Sequence, residues 1–323
     1  MADLFAELVG QPRAVGLLEA ALRLDRVAPA YLFAGPEGVG RRLAALRFLE
    51  GVVQAAGGQR DPTVRRRLAQ GNHPDLLWVE PTYSHQGKLV PASQAEAEGV
   101  SRRTPPQLRL EQIREISRFL ARRPVEARGA MVVLEAAEAM AEAAANALLK
   151  TLEEPGDGLL ILISAAPDQL LTTIRSRCQL IPFRRLEPRQ LRLVLERCGD
   201  GQEVAGNGED PPELLELAAG SPGALLEHRR QWRSLPQGLA AQLVDLPADP
   251  LLALTLARDL SEALDGDQQL WLLNWLQLSR WRRQQRPAEL ERLERLRRQL
   301  RSHVQPRLAW EVALLELAGL KPP

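Results

Sequence analysis

Tyr31-Leu32-Phe33-Ala34-Gly35-Pro36-Glu37-Gly38-Val39-Gly40-Arg41-Arg42 sets how the rest of the chain is read. Tyr31–Ala34 is a short apolar run, the composition of a strand buried on both faces. Gly35, Gly38 and Gly40 permit a tight loop, and Leu43–Val53 resumes with helical spacing. Strand, glycine loop and helix in that order frame a phosphate-binding loop, G-x-x-x-x-G-K-[ST], in which backbone N–H groups at a helix N-terminus hold phosphate. Gly35 and Gly40 have the right spacing, but Arg41 and Arg42 occupy the Lys and Ser/Thr positions. A Lys at 41 would reach the β- and γ-phosphates, and a hydroxyl at 42 would bind Mg²⁺. The planar fork of Arg41 needs different room, and Arg42 cannot ligate a cation. On these residues alone a retired phosphate site and an ordinary strand-to-helix turn are both open. No cofactor is expected at Gly35, Gly38, Gly40, Arg41 and Arg42.

Upstream, the spacing predicts one or two short helices over 3–27, broken at Val9-Gly10-Gln11-Pro12. Downstream, Leu76–Val79, Met131–Leu134, Leu159–Ser164 and Gln179–Phe183 read as further buried strands. Leu110–Leu120, Ala137–Leu152 and Leu170–Ile174 read as the helices among them. Gly57–Arg67 is polar and basic, and Tyr83–Gln107, rich in Gly, Pro and Ser, reads as a flexible excursion. Strands alternating with helices predict an α/β fold with a doubly wound parallel sheet, whose ligands sit at the carboxyl ends of strands, near Gly35 and Ser164. After Phe183 strands cease. Residues 184–233 read as a small helical domain containing a loop at 199–212. Residues 234–323 read as an all-α bundle of Leu251–Leu264, Asp267–Arg283, Pro287–Arg301 and Pro306–Leu317. Leu270-Trp271-Leu272-Leu273 with Trp275, Leu276 and Leu278 is apolar nearly all round, so other helices should bury it. Five of the six Trp lie at or beyond Trp232, which marks a separate core.

The 323 residues suffice for two or three domains. With 45% hydrophobic and 26% charged residues and a formal net charge of +1, composition gives no global field for nucleic acid or membrane. No apolar stretch reaches the ~20 residues of a membrane span. The opening Met-Ala-Asp-Leu-Phe-Ala-Glu lacks a basic region followed by an apolar core, so no secretion signal is expected. Cys178 and Cys198 are too few for a disulfide framework or a four-Cys zinc site. His73, His85, His228 and His303 show no paired spacing, so no metal is expected. These features predict a cytoplasmic protein.

Three further stretches carry chemistry. Met131-Val132-Val133-Leu134-Glu135-Ala136-Ala137-Glu138 ends a strand where a nucleotide hydrolase places Asp for Mg²⁺ and Glu for water. Glu135 could approach a metal, but Ala136 has no base, and the plainer reading is a buried strand meeting a polar helix start. In Ile174-Arg175-Ser176-Arg177-Cys178 the Cys is either a thiolate activated by cationic neighbours or a small buried residue. Arg175 and Arg177 are either surface ion pairs or an arginine finger aimed at a neighbour's phosphates. Residues 280–307 hold ten Arg and three Glu. Such a stripe suits nucleic acid, or, with Glu289, Glu291 and Glu294 interleaved among Arg292, Arg295, Arg297 and Arg298, a solvated helix face.

Taken together, Val9-Gly10-Gln11, Gly35–Arg42, His73-Pro74-Asp75, Asn146-Ala147-Leu148-Leu149-Lys150-Thr151-Leu152-Glu153-Glu154-Pro155 and Ile174-Arg175-Ser176-Arg177-Cys178 resemble bacterial DNA polymerase III clamp loader subunits of the AAA+ ATPase superfamily. The resemblance spans about residues 5–225. It implies a RecA-like AAA+ domain (1–183), a small helical lid (184–233) and a helical collar for oligomerisation (234–323). Within the family the pattern is similar to the delta-prime branch, not the ATP-hydrolysing gamma/tau branch. That branch binds no ATP but donates the Ser-Arg-Cys arginine, here Arg177, to a neighbour. The implied partners are gamma/tau and delta subunits in a ring of five, with the sliding clamp and primed DNA met through the complex. Arg41, Arg42, Ala136 and Gly223 agree, the last standing where ATP-binding relatives carry a second sensing Arg. Ser164 stands near the first sensor position. Relatives' four zinc-binding cysteines before His-Pro-Asp are missing between Gly51 and His73, so no zinc is expected. A gamma/tau-type ATPase with an unusual loop, and a scaffold without a role at the ATP interface, are the alternatives.

Overall fold

The computed structural model describes residues 4–57, 61–95, 97–100, 105–154, 156–198, 210–302 and 304–320. Pro155, His303 and most of the 199–212 loop lie outside them, as do 58–60, 96 and 101–104 of the two polar segments. The chain divides into two compact units, 1–203 with 220–223, and 204–219 with 224–323.

The first unit runs α1 (Pro12–Arg23), β1 (Ala30–Ala34), α2 (Arg41–Gly57), α3 (Pro62–Ala69), β2 (Leu76–Val79), β3 (Thr82–His85), β4 (Lys88–Pro91), α4 (Leu110–Leu120), β5 (Met131–Leu134), α5 (Glu142–Glu153), β6 (Leu159–Ser164), α6 (Thr172–Arg175), β7 (Gln179–Pro182) and α7 (Pro188–Arg197). The sheet has the order β2-β5-β6-β1-β7, and every pairing in it is parallel. The expected strands are therefore present within a residue at either end. Successive side chains of β1 point to opposite faces. Tyr31 and Phe33 meet Phe48 and Phe183 on one face, with ring centroids 5.0 Å (Tyr31–Phe48) and 5.4 Å (Phe33–Phe183) apart. Leu32 joins Val132, Leu134, Leu160 and Leu162 on the other, under Ile113 and Ile116 of α4 and Ala144 and Leu148 of α5.

The structure corrects the segment 83–107. Instead of a wholly flexible excursion, β3 and β4 form an antiparallel hairpin. Gln86 and Gly87 turn it with φ of 48° and 79°, the type I′ geometry that matches strand twist. Tyr83, Val90, Ala95 and Val100 give it a small core of its own. Helix α3 also arises where only a polar stretch was expected, capped by Asp61, whose carboxylate accepts from the Thr63 N–H at 2.8 Å. The single helix expected over 137–152 is divided. Leu108 exchanges backbone hydrogen bonds with Ala139 and Ala141, which breaks the chain before α5.

His73-Pro74-Asp75 proves to be a fastener. The buried Asp75 carboxylate accepts from the backbone N–H groups of Val125 (2.7 Å), Glu126 (2.7 Å) and Ala127 (2.8 Å), tying down the loop that feeds β5. Burial raises the Asp75 pKa, but these three donors outweigh it and the net shift is downward. Gln11 does similar work for the Val9-Gly10-Gln11 stretch. Its amide donates to the carbonyls of Val39 (3.4 Å) and Arg184 (2.7 Å) and accepts from the Arg184 N–H (2.9 Å).

The second unit is all-α: α8 (Pro212–Ala218), α9 (Pro222–Ser234), α10 (Leu239–Val244), α11 (Pro250–Ala263), α12 (Gly266–Gln284), α13 (Pro287–Leu300) and α14 (Pro306–Leu317). Helix α12 is buried on several faces, by Trp271, Leu272, Leu273, Trp275 and Leu276, as its all-round apolar character requires. Two of its buried polar groups are matched by side chains of other helices. The Gln269 carbonyl oxygen accepts from Trp310 Nε1 at 3.0 Å, and Trp271 Nε1 donates to His228 Nδ1 at 3.0 Å. Buried Arg280 pairs with Glu289 at 2.9 Å and donates to the Leu243 carbonyl. Much of the remaining arginine stripe is spent on neighbouring helices. Arg295 meets Glu316, Arg283 meets Asp245, Arg282 meets Glu216, and Arg297 meets Asn274. Pairs at helical spacing are the smaller share: Arg297–Glu294, Arg286–Glu289 and, at the end of the stripe, Arg307–Glu311.

These contacts can be tested by unfolding. Asp75→Ala strands three backbone donors and should cost roughly 2–4 kcal/mol in urea unfolding, with Asp75→Asn costing less because one acceptor oxygen remains. Burial holds His73 and His228 below the ordinary histidine range. The unfolded chain then binds more protons just below pH ~6.5, so stability is complete above that pH and falls as the pH drops toward the folded values. Unfolding free energies measured at roughly pH 7.5, 6.5 and 5.5, which bracket the ordinary histidine pKa, should decline in that order. His228→Gln should flatten the slope. A pH-independent stability would contradict this.

Candidate functional site

Ala34 delivers the chain to the carboxyl edge of the sheet, where Gly35 N–H continues the ladder to the Ser164 carbonyl at 3.1 Å. Gly35 has φ +154°, and a Cβ there would lie 2.4 Å from the Phe183 carbonyl oxygen, so only glycine fits. Three loop carbonyls are then taken up by the protein. Gln11 donates to Val39, the Ser221 hydroxyl to Glu37 at 2.6 Å, and the Gly223 N–H to Gly38 at 3.0 Å. A Cβ on Gly223 would stand 2.8 Å from the Gly38 Cα. At this approach distance no side chain can be carried at 223, and none is offered to a phosphate.

The two arginines of the loop part company. Arg41 is 8% exposed, and its Nη1 has no hydrogen-bond partner among the described residues. Burial lowers its pKa, opposed by the nearby carboxylates of Glu138, Glu37 and Glu135. Arg42 reaches across to Glu135, Nη1 to Oε1 at 3.0 Å, with its guanidinium 4.6 Å from the Trp78 ring centroid. Trp78 Nε1 donates to the same Glu135 oxygen at 3.0 Å. Burial raises the Glu135 pKa, and Arg42 and Trp78 pull it back only in part. The carboxylate that could have met a metal is thus occupied by a cation of this chain, stacked on an indole. Ala136, at the place of a base, has φ 45° and no functional group. Ser164 is fully buried, and its hydroxyl has no partner among the described residues. Glu138 accepts from the Ala165 N–H at 2.9 Å. Sequence reasoning missed Trp78 and gave Glu138 no role. Trp78 lies inside an apolar strand, and only the β2–β5 pairing brings it to Glu135.

Arg177 belongs elsewhere. Gln179 pairs with Tyr31, and Gly35 follows Ala34, which pairs with Pro182. Four strand steps, ~13 Å, thus separate the register of Gln179 from that of Gly35, and Arg177 lies further still toward the amino edge. Its side chain is 36% exposed, with the guanidinium donating to Glu153 at 2.9 Å and to the Thr173 carbonyl at 3.1 Å. Arg175 pairs with Asp168 at 3.0 Å. Both arginines are therefore surface ion pairs in this chain, which leaves a role toward a neighbour open. The cysteine alternatives are decided by packing. Cys178 lies against the sheet core, and burial pushes its thiol up to about 12, so no thiolate forms at neutral pH. Among the described residues no group of three or more His, Cys, Asp and Glu is placed to hold a metal, and no helix is long and apolar enough to cross a membrane.

Comparison with known proteins bears on the family. Residues 10–187 match the family model for the DNA polymerase III delta subunit, and residues 189–317 match that for the C-terminal domain of cyanobacterial DNA polymerase III delta prime. The chain is 34% identical over 185 residues to DNA polymerase III subunit delta' of Bacillus subtilis, covering 56% of this chain and 50% of that protein. Against subunit delta' of Pseudomonas aeruginosa it is 38% identical over 156 residues, covering 47% and 42%. Against subunit gamma/tau of Mycobacterium tuberculosis it is 30% identical over 219 residues, covering 68% and 35%. The chain thus spans half or less of the length of these curated relatives. Among solved structures, a DNA polymerase III gamma subunit-related protein of Thermotoga maritima superposes with a TM-score of 0.55 at 16% identity, covering 94% of this chain and 99% of that one. With more than half of its length matched by one family model and the following helical part by a delta-prime model, the chain belongs to the DNA polymerase III delta-subunit family, as a delta-prime-like member of the AAA+ fold.

Proposed function

We propose that this chain is the non-hydrolysing, arginine-donating subunit of a DNA polymerase III clamp loader. The observation that carries the proposal is the contrast between the two ends of its sheet. At the carboxyl edge the loop carbonyls of 37–39 and Glu135 are already bonded within the chain. At the amino edge Arg177 is partly exposed on a surface turn. Arg177 would stabilise charge developing on the γ-phosphate of nucleotide held by a neighbouring gamma/tau subunit. The likeness to delta' and gamma/tau subunits supports membership of such a complex.

In this reading the chain sits in a cytoplasmic ring of five with gamma/tau and delta subunits, and meets the sliding clamp and primed DNA through that complex. Residues 1–183 form the AAA+ domain, 184–233 the lid and 234–323 the collar that joins the subunits. No nucleotide or metal is bound by Gly35, Gly38, Gly40, Arg41 and Arg42, so the chain alone has no ATPase.

Two measurements test the proposal. Arg177→Ala in a reconstituted loader should lower hydrolysis at the interface it serves by roughly 10³–10⁵, as loss of an arginine finger does, while gel filtration shows the complex still assembled. Unchanged ATPase would refute the donor role. Equilibrium dialysis of the isolated chain against labelled ATP should show no saturable binding in the micromolar range. Micromolar retention would favour a gamma/tau-type enzyme instead.

A further inference from the structure

Arg177 is not idle in the chain that carries it, and its present partner has a consequence for its use. The guanidinium lies back over α6, Nη1 donating to the Thr173 carbonyl four residues earlier and Nη2 to Glu153 Oε1 at 2.9 Å. Glu153 is the last residue of α5, and Arg177 follows α6 by two residues, so the pair closes the end of one helix onto the turn of another. Neither group is buried: Arg177 keeps 36% and Glu153 53% of its side-chain surface. An exposed pair of this kind is weak and sensitive to salt, hence easily exchanged for a better anion. A multiply charged phosphate is such an anion.

We propose that Glu153 is a positioning residue for Arg177: it holds the guanidinium in a parked orientation, and a neighbour's phosphate must displace its carboxylate before the arginine can act. This rests on the donor role proposed for Arg177. Arg177 then divides its time between Glu153 in the same chain and phosphate across the interface, and hydrolysis proceeds only from the second state. The parked state also gives the free subunit a neutralised surface at this point. Arg175 has its own carboxylate, Asp168, and so does not compete for Glu153.

The test uses the whole reconstituted loader carrying Glu153→Gln, which keeps shape and removes charge. The kcat for ATP should rise, by about five-fold at most, the ratio that corresponds to the upper end of ~1 kcal/mol for an exposed ion pair. KM should hold steady, because the arginine acts on charge that develops after ATP is bound. The gain should shrink as salt is added, since salt weakens the wild-type pair as well. Glu153→Asp, which restores the charge, should reverse most of the gain, and Glu154→Gln at the exposed neighbouring position should give none. In an Arg177→Ala background Glu153→Gln should have no effect. A kcat at or below wild type in Glu153→Gln, or a gain that persists without Arg177, overturns the parking role while a dead Arg177→Ala leaves the donor role standing. If Arg177→Ala itself is silent, the donor role fails and the parking role falls with it.

Discussion

The glycine loop between Ala34 and Arg41 is held by backbone contacts too close for any side chain, and the first unit is arranged around that approach. Gly35 is pressed against Phe183, and Gly38 against Gly223, at distances where an added Cβ collides with backbone. The carbonyls of Glu37, Gly38 and Val39 are bonded to Ser221, Gly223 and Gln11. A loop anchored from three directions keeps its shape without a ligand. Arg41 and Arg42, where a phosphate-binding loop carries Lys and Ser/Thr, leave that shape to packing alone.

Electrostatics completes what packing begins. Glu135 at the end of β5 would otherwise be an unpaired, half-desolvated carboxylate beside the loop, an expensive arrangement in a partly apolar setting. Arg42 and the Trp78 indole resolve it by donating to one oxygen of Glu135. The residue that stands in place of the metal-binding hydroxyl is thus also the one that neutralises the surviving acid. At the opposite edge Arg177 is paired too, and the two pairs differ in their acids: Glu135 keeps 22% of its side-chain surface and Glu153 53%.

Much of this was legible in residue order. Strand positions followed from apolar runs and helix positions from spacing, because burial of a parallel sheet on both faces imposes those patterns locally. The hairpin at Thr82–Pro91 was not, since its Gln86-Gly87 turn sits in a polar segment and its core rests on Tyr83, Val90, Ala95 and Val100 alone. Helix α3 was missed for a related reason: its charged residues hide the periodicity that Val64 and Leu68 supply. The role of His73-Pro74-Asp75 was also hidden, because Asp75 works on backbone groups about fifty residues away.

Residue order alone supplied the inventory: a glycine frame without Lys or hydroxyl, a strand end without a base, and a Ser-Arg-Cys turn after an Ala/Leu helix. These are local facts of residue type and spacing. The pairings came from the folded chain: Arg42 with Glu135 across 93 residues, Gly223 with Gly38, and Arg177 with Glu153. The first depends on the order β2-β5-β6-β1-β7, which sets the ends of β5 and β1 on either side of β6. No local pattern encodes that order. It emerges when all the apolar faces are buried at once, and the placement of the loop and Arg177 at opposite edges of one sheet emerges with it.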